Sequence, residues 1–237
     1  MFVKSQRFYD AIYAWKDYTG EAQRLHTLIG QHKRSPGDTL LDVACGTGGH
    51  ITFLRQHYMV EGLDLDQVML DIARQKHPDI PFHHGDMVDF DLRRRFDVVV
   101  CLFSAIGEVK TLPRLRQAIQ TMTRHVHPGG VLIIEPWLTP DGYQVGRPHA
   151  LFVNQPDLKI ARMNISAVED GVSVLDFHYL VVTPEGIEHF SERHELGLFP
   201  FEEYEAAMRD SRLNVLVDRE GLMGRGLFIG IRPVADG

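Results

Sequence analysis

The stretch LLDVACGTGGH, residues Leu40–His50, decides how this chain of 237 residues folds. Its first half is an apolar run that predicts a strand, and its second half is a glycine-rich bend leading into a predicted helix. Such a bend lets a ligand approach the backbone N–H groups closely. The ligand is a dinucleotide, a phosphate or a molecule without phosphate, and residues elsewhere must distinguish these.

The bend lacks two common phosphate-binding motifs. Gly46 and Gly48 match the first two glycines of the dinucleotide fingerprint G-x-G-x-x-G, but Ile51 occupies the third position. No G-K-[ST] sequence follows, so the phosphate-loop motif is also absent. A glycine pair alone is weak evidence, because many tight strand–helix turns contain one.

Around this bend, apolar runs alternate with amphipathic segments. This pattern predicts a parallel sheet covered by helices on both faces, which is an α/β fold of the Rossmann-like type. The first 35 residues are predicted to be helical, with an interruption near Thr19–Gly20. The predicted strands are LLDVA, VEGLDL, a short strand around PFHHGD, FDVVVCLF and VLIIEPW, and the predicted helices between them are Thr47–Tyr58, Gln67–Lys76 and Leu112–His125.

The pattern changes at Leu138, after which residues 138–156 are rich in proline and glycine and are predicted to form a loop. Three strands follow in the prediction, joined by the turn sequences EDG and TPEG, and they indicate an antiparallel meander. We expect residues 1–137 and 199–237 to form one core, with 138–198 as an insertion. The three predicted strands are about Lys159–Val168, Val172–Val182 and Ile187–Leu198, and the helix FEEYEAAMRD and the strands LNVLVD and GLFIGI come after them.

Composition excludes several classes of protein. An apolar content of 44% is enough for a full core, and the net charge of −7 argues against nucleic acid as a partner. No apolar run is long enough to span a membrane and the N-terminus has no signal core, so we expect a cytoplasmic protein without a membrane partner. Cys45 and Cys101 lie in apolar runs, which indicates reduced thiols. The histidines are scattered, and His189 and His194 fall on opposite faces of their strand, so no metal site is expected.

Acidic residues occur where successive predicted strands end. Asp64 follows the bend by eighteen residues and is placed to accept both hydroxyls of a ribose, whereas Asp86 is placed to accept from an adenine amino group. Met69 and Met87 are candidates to flank the flat base. Asp42 lies inside an apolar strand, where a carboxylate is costly unless it is paired, so it either orders the bend or contacts a cationic ligand. Open α/β sheets bind ligands at these strand ends.

The sequence resembles the class I S-adenosylmethionine (SAM) methyltransferases in the motifs D-V-A-C-G-T-G, G-L-D, G-D-M, F-D-V-V-V-C and P-G-G. SAM carries a ribose, an adenine, a carboxylate and a sulfonium but no phosphate, which fits the missing third glycine. A closer resemblance is to the N,N-dimethyltransferases of nucleotide-linked 3-amino deoxysugars such as desosamine and mycaminose. It covers nearly the whole chain, in the stretches FYD, KDY with a following glutamate, CLFSAIG, IIEPW, LDFHYLV, HELGLF and GRGLFIGI.

The resemblance implies a role for individual residues and implies a homodimer. Tyr9 and Tyr18 are expected at the methionine end of SAM, with backbone contacts from Ala44 and Gly46, and Arg225 is expected to bind the phosphates of the sugar nucleotide. The insertion is expected to cover the acceptor. The remaining predicted residues of the cofactor site are Asp42, Cys45, Asp64, Leu65, Met69, Asp86, Met87, Cys101 and Ser104, and those of the acceptor site are Trp137 and His178, the latter on one strand face with Asp176.

Two departures from the resemblance concern the acceptor. The segment from Tyr9 to Tyr18 is about two residues shorter than in the relatives, and Glu108 in CLFSAIGE replaces their histidine. We therefore predict Glu108 as a catalytic residue that removes a proton from an amine or attracts the ammonium, with a solvated loop residue as the alternative. Other functions left open are methyl transfer to another small amine or hydroxyl, NAD-dependent oxidoreduction and SAM binding without catalysis.

Overall fold

A computed structural model of the chain describes residues 4–234, which form two β-sheets and six α-helices. The strands are β1 (Thr39–Val43), β2 (Met59–Asp64), β3 (Phe82–His84), β4 (Phe96–Cys101), β5 (Val126–Ile134), β6 (Pro148–Gln155), β7 (Leu158–Glu169), β8 (Val172–Thr183), β9 (Gly186–Gly197), β10 (Asn214–Asp218) and β11 (Leu227–Ile231). The helices are α1 (Tyr9–Ile12), α2 (Tyr18–His32), α3 (Ile51–Leu54), α4 (Gln67–Lys76), α5 (Leu112–Arg124) and α6 (Phe201–Asp210).

The central sheet has the strand order β10-β11-β5-β4-β1-β2-β3. β1 to β5 run parallel, and β11 is antiparallel to both of its neighbours. The chain proceeds from β1 outward to β3 on one side and from β4 outward to β5 on the other. The ends of β1 and β4 therefore form the switch point at which α/β sheets bind ligands. The predicted α/β fold with a mostly parallel sheet is confirmed.

The second sheet is the antiparallel meander β6-β7-β8-β9, which follows β5 in the chain. Its inner face shares a small hydrophobic core with the N-terminal segment, through Phe8, Ile12, Phe177 and Tyr179. The meander therefore packs against the segment that precedes α2. The assignment of residues 138–198 as a separate insertion stays a prediction.

The N-terminal helix prediction is wrong in one respect. The break lies at residues 13–17, between α1 and α2, and not near Thr19–Gly20. Asp17 is the N-cap of α2, where its side chain accepts a hydrogen bond of 2.9 Å from the backbone N–H of Gly20. This cap starts a new helix, and Tyr13 and Trp15 of the break at residues 13–17 line the cavity at the edge of the sheet.

Three further predictions need correction. The predicted loop 138–156 contains the strand β6, whose Leu151 and Val153 face inward and whose Pro148 is tolerated because it begins an edge strand. The predicted helix Thr47–Tyr58 is regular only at Ile51–Leu54, because turns occupy both flanks. The fifth strand starts at Val126, before the glycine pair, and ends at Ile134 before the predicted EPW.

Candidate active site

The glycine-rich bend joins β1 to α3 in an unusual backbone conformation. Ala44, Gly46 and Gly48 all have positive φ angles of 58°, 54° and 76°. A Cβ at Gly46 would meet no atom within 4 Å, which leaves open space in front of this backbone. The left-handed turns thus present the loop to a cavity, and glycine adopts them at little cost.

Asp64, at the end of β2, holds the bend in place. Its Oδ2 accepts a hydrogen bond of 2.7 Å from the backbone N–H of Gly46, and its Oδ1 accepts one of 2.8 Å from the N–H of Asp66. Burial raises the pKa of the Asp64 carboxyl above its ordinary value, although these N–H groups oppose the rise. Each carboxylate oxygen can accept more than one hydrogen bond, so ribose hydroxyls can bind without displacing the loop.

The third strand end carries the next acidic residue. The carboxylate of Asp86 accepts hydrogen bonds from the N–H of Val88 at 3.0 Å and from the guanidinium of Arg114 at 3.0 Å. Asp86 and Met87 lie in the same cavity as Asp64 and Met69. The residues predicted for ribose and adenine are therefore brought together along one cavity wall.

This cavity has a volume of about 540 Å³ and runs from the glycine-rich bend to the inner face of the meander. Its size is within the usual range for a small-molecule site. Of the residues predicted from sequence, it is lined by Tyr9, Ala44, Gly46, Asp64, Leu65, Met69, Asp86, Met87, Ser104, Glu108, Trp137 and Arg225.

Five predicted residues lie outside the cavity. The Tyr18 ring packs edge-on against His50, with ring centroids 4.9 Å apart, and therefore supports the loop from behind. Cys45 and Cys101 are buried free thiols. Asp42 is buried behind the loop with no hydrogen-bond partner for its Oδ2 among residues 4–234, and burial followed by the charge of Asp64 raises its pKa to about 8. The fifth residue is His178.

His178 lies on the outer face of the meander, and the expectation that it lines the acceptor site is wrong. Its neighbours in the strand, Phe177 and Tyr179, are buried on the inner face, so the alternation of β8 turns His178 outward. Its ring lies against that of His189, with centroids 6.1 Å apart. The inner positions of the meander that do line the cavity are Arg162, Leu175, Phe177, His194 and Leu196.

The turn after β4 forms the middle of the cavity. Phe103 and Ser104 both have left-handed backbones, with φ of 52° and 64°. The N–H of Phe103 donates to Oε2 of Glu135 at 2.7 Å, and the hydroxyl of Ser104 donates to the carbonyl of Pro136 at 2.9 Å. Strained backbone of this kind persists where surrounding groups hold it, and it is frequent at functional sites.

Arg225 lines the same cavity, beside Trp137. Its Nη1 donates to the hydroxyl of Ser104 at 2.5 Å, and its guanidinium carbon lies 5.0 Å from the centre of the Trp137 ring. Burial lowers the pKa of the Arg225 guanidinium, the charge of Glu135 opposes this, and no ion pair of Arg225 is present within the described part of the chain. A half-buried guanidinium without a carboxylate partner is suited to an anionic ligand.

Glu108 is on the short 3-10 helix Ala105–Val109, and its side chain is exposed to the cavity. The surrounding walls raise the pKa of its carboxyl above the ordinary value, mainly by burial. The meander fixes the position of this turn, because Gly107 packs against Leu196 and Lys110 pairs with Glu195 at 2.8 Å. A carboxylate thus lines the same cavity as Asp64 and Arg225.

The residues present fit SAM better than a phosphate-containing cofactor. Asp64, Asp66 and Asp86 line the cofactor end of the cavity, where their charges disfavour a pyrophosphate. Open space in front of Gly46 provides room for the methionine part of the ligand. Residues 4–234 contain no group of three or more potential metal ligands, and no helix among them is long and apolar enough to cross a membrane.

Comparison with known proteins identifies the family of the chain. Residues 40–130 match a family described as "Methyltransferase domain". The chain is 42% identical over 224 residues to the dTDP-3-amino-3,6-dideoxy-alpha-D-glucopyranose N,N-dimethyltransferase of Streptomyces fradiae. The aligned region covers 94% of this chain and 87% of the relative.

Solved structures match over nearly the whole chain. The crystal structure of Streptomyces venezuelae DesVI has a TM-score of 0.91 at 37% identity and covers 99% of this chain and 100% of the other. The SAM-bound amino pentose methyltransferase CalS10 from Micromonospora echinaspora has a TM-score of 0.86 at 34% identity, with 98% of both chains covered. The chain therefore belongs to the family of SAM-dependent sugar N,N-dimethyltransferases.

Proposed function

We propose that this enzyme transfers two methyl groups from SAM to the amino group of a nucleotide-linked amino deoxysugar. The observation that carries the proposal is the continuity of the cavity, which Asp64, Asp86, Glu108 and Arg225 all line. A sugar nucleotide has a neutral or cationic amine at one end and an anionic diphosphate further along. These two groups match Glu108 and Arg225, respectively.

The chain's contribution to methyl transfer is alignment. When bound, SAM supplies an already activated methyl group on its sulfonium, so no residue has to form a covalent bond with the methyl group. The walls around Glu108 and Phe103 hold the amine in line and exclude water, and such positioning accounts for much of the rate of a two-substrate reaction. We assign Asp64 to the ribose, Asp86 to the adenine and Tyr9 to the methionine end.

We assign Glu108 to the proton of the acceptor amine. The attacking nitrogen must be neutral, and each transfer leaves it with a positive charge and a proton to lose before the next transfer. A carboxylate that faces the cavity can attract the ammonium form and accept its proton. The raised pKa of Glu108 makes it a better base than an ordinary glutamate.

Incubation with SAM and a panel of acceptors tests the proposed function. The panel contains dTDP-linked 3-amino and 4-amino deoxysugars, the corresponding free amino sugars, and simple amines. Mass spectrometry is expected to show an increase of two methyl groups on a nucleotide-linked sugar. Methylation of a free amine or of a hydroxyl compound in preference to all nucleotide-linked acceptors would favour a different small-molecule methyltransferase.

We also propose that the enzyme is a homodimer of the cytoplasm. The outer face of the meander exposes Phe152, Met163, Ile165 and Leu180, with Ile165 63% accessible. A patch of this kind is typical of a protein–protein interface. Light scattering of the purified protein tests the dimer, and Ile165→Asp is expected to yield monomers. The free thiols of Cys45 and Cys101 support a reducing compartment.

A further inference from the structure

Lys16 is a fully buried lysine at the start of α2. It directly precedes the N-cap Asp17, and its side chain has no exposed surface. Its Nζ donates a hydrogen bond to Oε1 of Glu21, a buried residue in the first turn of the same helix. Lysine and glutamate are rarely buried to this extent, and a buried ion pair adds little or no stability to a fold. The position of this pair therefore needs another explanation.

The ammonium of Lys16 contacts two turns whose residues line the cavity. Its Nζ lies 4.3 Å from the centre of the Phe103 ring, in the turn after β4. The same Nζ donates to the sulfur of Met223 at 3.2 Å, in the turn between β10 and β11. An uncharged side chain of similar length could make neither the cation–π contact nor the hydrogen bonds.

These two turns are also joined directly to each other. Nη1 of Arg225, two residues after Met223, donates to the hydroxyl of Ser104 at 2.5 Å, and the guanidinium carbon lies 5.9 Å from the centre of the Phe103 ring. Phe103 and Ser104 have left-handed backbones, which persist only where the surroundings hold them. Lys16 is therefore placed to fix the turn on which the position of Arg225 depends.

Glu135 links Lys16 to this turn a second time. Its Oε2 accepts the N–H of Phe103 at 2.7 Å, while its Oε1 has no hydrogen-bond partner within residues 4–234. Burial raises the pKa of the Glu135 carboxyl, and the charge of Lys16 is the largest effect that opposes the rise. Lys16 thereby favours the charged form of Glu135, which is the stronger acceptor for the Phe103 N–H.

The contact network of Lys16 extends to the glycine-rich bend. Oε2 of Glu21 lies 2.8 Å from Nε2 of His50, which ends the bend and is the N-cap of α3. Within the described residues, Lys16 is thus connected to the bend through Glu21, whereas its contacts with Phe103 and Met223 are direct. Substitution of Lys16 should therefore disturb the Phe103 turn more than the bend.

We propose that Lys16 is a positioning residue of the acceptor site, which holds the Phe103–Ser104 turn and, through it, Arg225 in the conformation that receives the acceptor. The inference rests on the proposed function, since that function assigns Arg225 to the acceptor. The contacts of one ammonium with a carboxylate, a ring and a sulfur are satisfied together in only one arrangement of the two turns. Supporting residues of this kind fix the geometry of a site without touching the ligand.

Two variants separate this role from that of an ordinary structural ion pair. Lys16→Met keeps the length of the side chain but leaves Glu21 buried without its partner, so it is expected to destabilise the whole fold. The double variant Lys16→Met with Glu21→Gln removes both charges, and the amide can still form a hydrogen bond with His50. The double variant is therefore expected to fold, and it is the one in which exchange and binding are measured. Lys33→Met is the matched control, because Lys33 is at the other end of α2 and donates to two backbone carbonyls.

Amide hydrogen exchange and calorimetry measure the effect. In the double variant, exchange of the Phe103–Ser104 turn should be faster by about tenfold or more, and exchange of the glycine-rich bend should change less than about threefold. The affinity for S-adenosylhomocysteine should stay within about threefold, whereas dTDP binding in its presence should be weaker by about tenfold or more. Lys33→Met should leave the exchange of the turn and both affinities unchanged.

Unchanged exchange of the Phe103–Ser104 turn in the double variant would overturn the inference. Equal losses of affinity for S-adenosylhomocysteine and dTDP would also overturn it, because Lys16 would then support the fold as a whole. If the unmodified protein binds S-adenosylhomocysteine but not dTDP, the proposed nucleotide-linked acceptor is wrong. In that case the exchange of the turn by itself decides whether Lys16 holds it.

Discussion

The carboxylate of Glu192 on β9 accepts hydrogen bonds from the backbone N–H of Ser5 at 3.0 Å and from its hydroxyl at 2.6 Å. The same carboxylate accepts one of 2.6 Å from the N–H of Lys4. On the other side, Asp10 accepts hydrogen bonds from Thr47 of the glycine-rich loop at 2.6 Å and from Lys76 at 2.8 Å. The N-terminal segment thus bridges the acceptor sheet and the cofactor loop.

Glu192→Gln is expected to loosen this bridge. An amide loses the negative charge and one of the acceptor oxygens, so hydrogen bonds to a buried charged group are lost at a cost of about 1.5–3 kcal/mol in the free energy of unfolding. Hydrogen exchange should rise in residues 4–17 and change little in β4. Glu188→Gln removes a comparable but exposed pair with Arg7 and should cost no more than about 1 kcal/mol. Equal effects of the two substitutions would contradict the role of Glu192.

Asp64→Ala is expected to weaken SAM binding by roughly 1.5–3 kcal/mol, the value of hydrogen bonds to a charged group. The Gly46 N–H would also lose its partner, so the loop itself should become less ordered. Calorimetry with SAM and NAD measures both the loss and the selectivity. Asp71→Ala, on the exposed side of α4, is the control. Tight binding of NAD without a response to SAM would overturn the cofactor assignment.

Arg225→Gln is expected to raise the KM for the nucleotide-linked acceptor with little change in the affinity for SAM. The loss should be about 1.5–3 kcal/mol, as for a hydrogen bond to a charged group. Steady-state kinetics with each substrate varied in turn distinguishes the two effects. Arg219→Gln, in the same turn but stacked on Phe201, is the control. A parallel loss of SAM and acceptor binding would indicate that Arg225 supports the Ser104 turn instead.

His194 should make the fold sensitive to acid. Burial lowers the pKa of its imidazole to about 4, below the ordinary value of about 6.5 that it has in the unfolded chain. The unfolded state therefore binds one more proton between these values, and the free energy of unfolding falls by up to about 1.4 kcal/mol per pH unit as the pH drops through this range. Denaturation of His194→Gln at several pH values should show a shallower slope. An unchanged slope would assign the acid sensitivity to other groups, and His127→Gln, at an exposed site, is the control.

The sequence predicted the cavity residues near the glycine-rich bend better than those contributed by the meander. Asp64 and Asp86 could be placed because parallel strands end at the same edge of a sheet, so their positions follow from the strand pattern alone. Tyr18 and Asp42 could not be distinguished from cavity residues, because a residue behind a loop and one in front of it have the same spacing. The break before α2 is set by the helix cap at Asp17, whereas the pattern of residue types places it too late, near Thr19–Gly20.

The meander residues that line the cavity could not be predicted from the sequence, because alternation along a strand does not show which of its two faces is turned inward. The alternation of β8 correctly placed Asp176 and His178 on one face, but their strand turns that face outward. In β7 the signal was present, since Arg162 alternates with the apolar Met163 and Ile165. In this part of β7 the exposed residues are apolar and the inward-facing residues are polar. This is the opposite of the ordinary pattern in a strand that has one face in the core and one in solvent.

Glu108 is the proposed proton acceptor, and Glu108→Gln keeps the shape of the side chain while removing its charge. The turnover rate is expected to fall by about 10²-fold or more, within the usual range for general acid–base catalysis. Affinity for SAM should stay within about twofold, because Glu108 is assigned to the acceptor. Rapid-mixing kinetics and calorimetry measure the two quantities.

The pH dependence of the rate tests whether Glu108 accepts a proton during the reaction. Because burial raises the pKa of Glu108, activity of the unmodified enzyme should fall as the pH drops through that value, where the carboxylate becomes protonated. Glu108→Gln should lose this acidic limb, and Glu108→His should regain part of the rate, since a neutral imidazole also accepts a proton. A near-normal rate of Glu108→Gln at every pH would indicate that Glu108 is a solvated residue that does not take part in the reaction. Methyl transfer would then depend on alignment alone, with water as the proton acceptor.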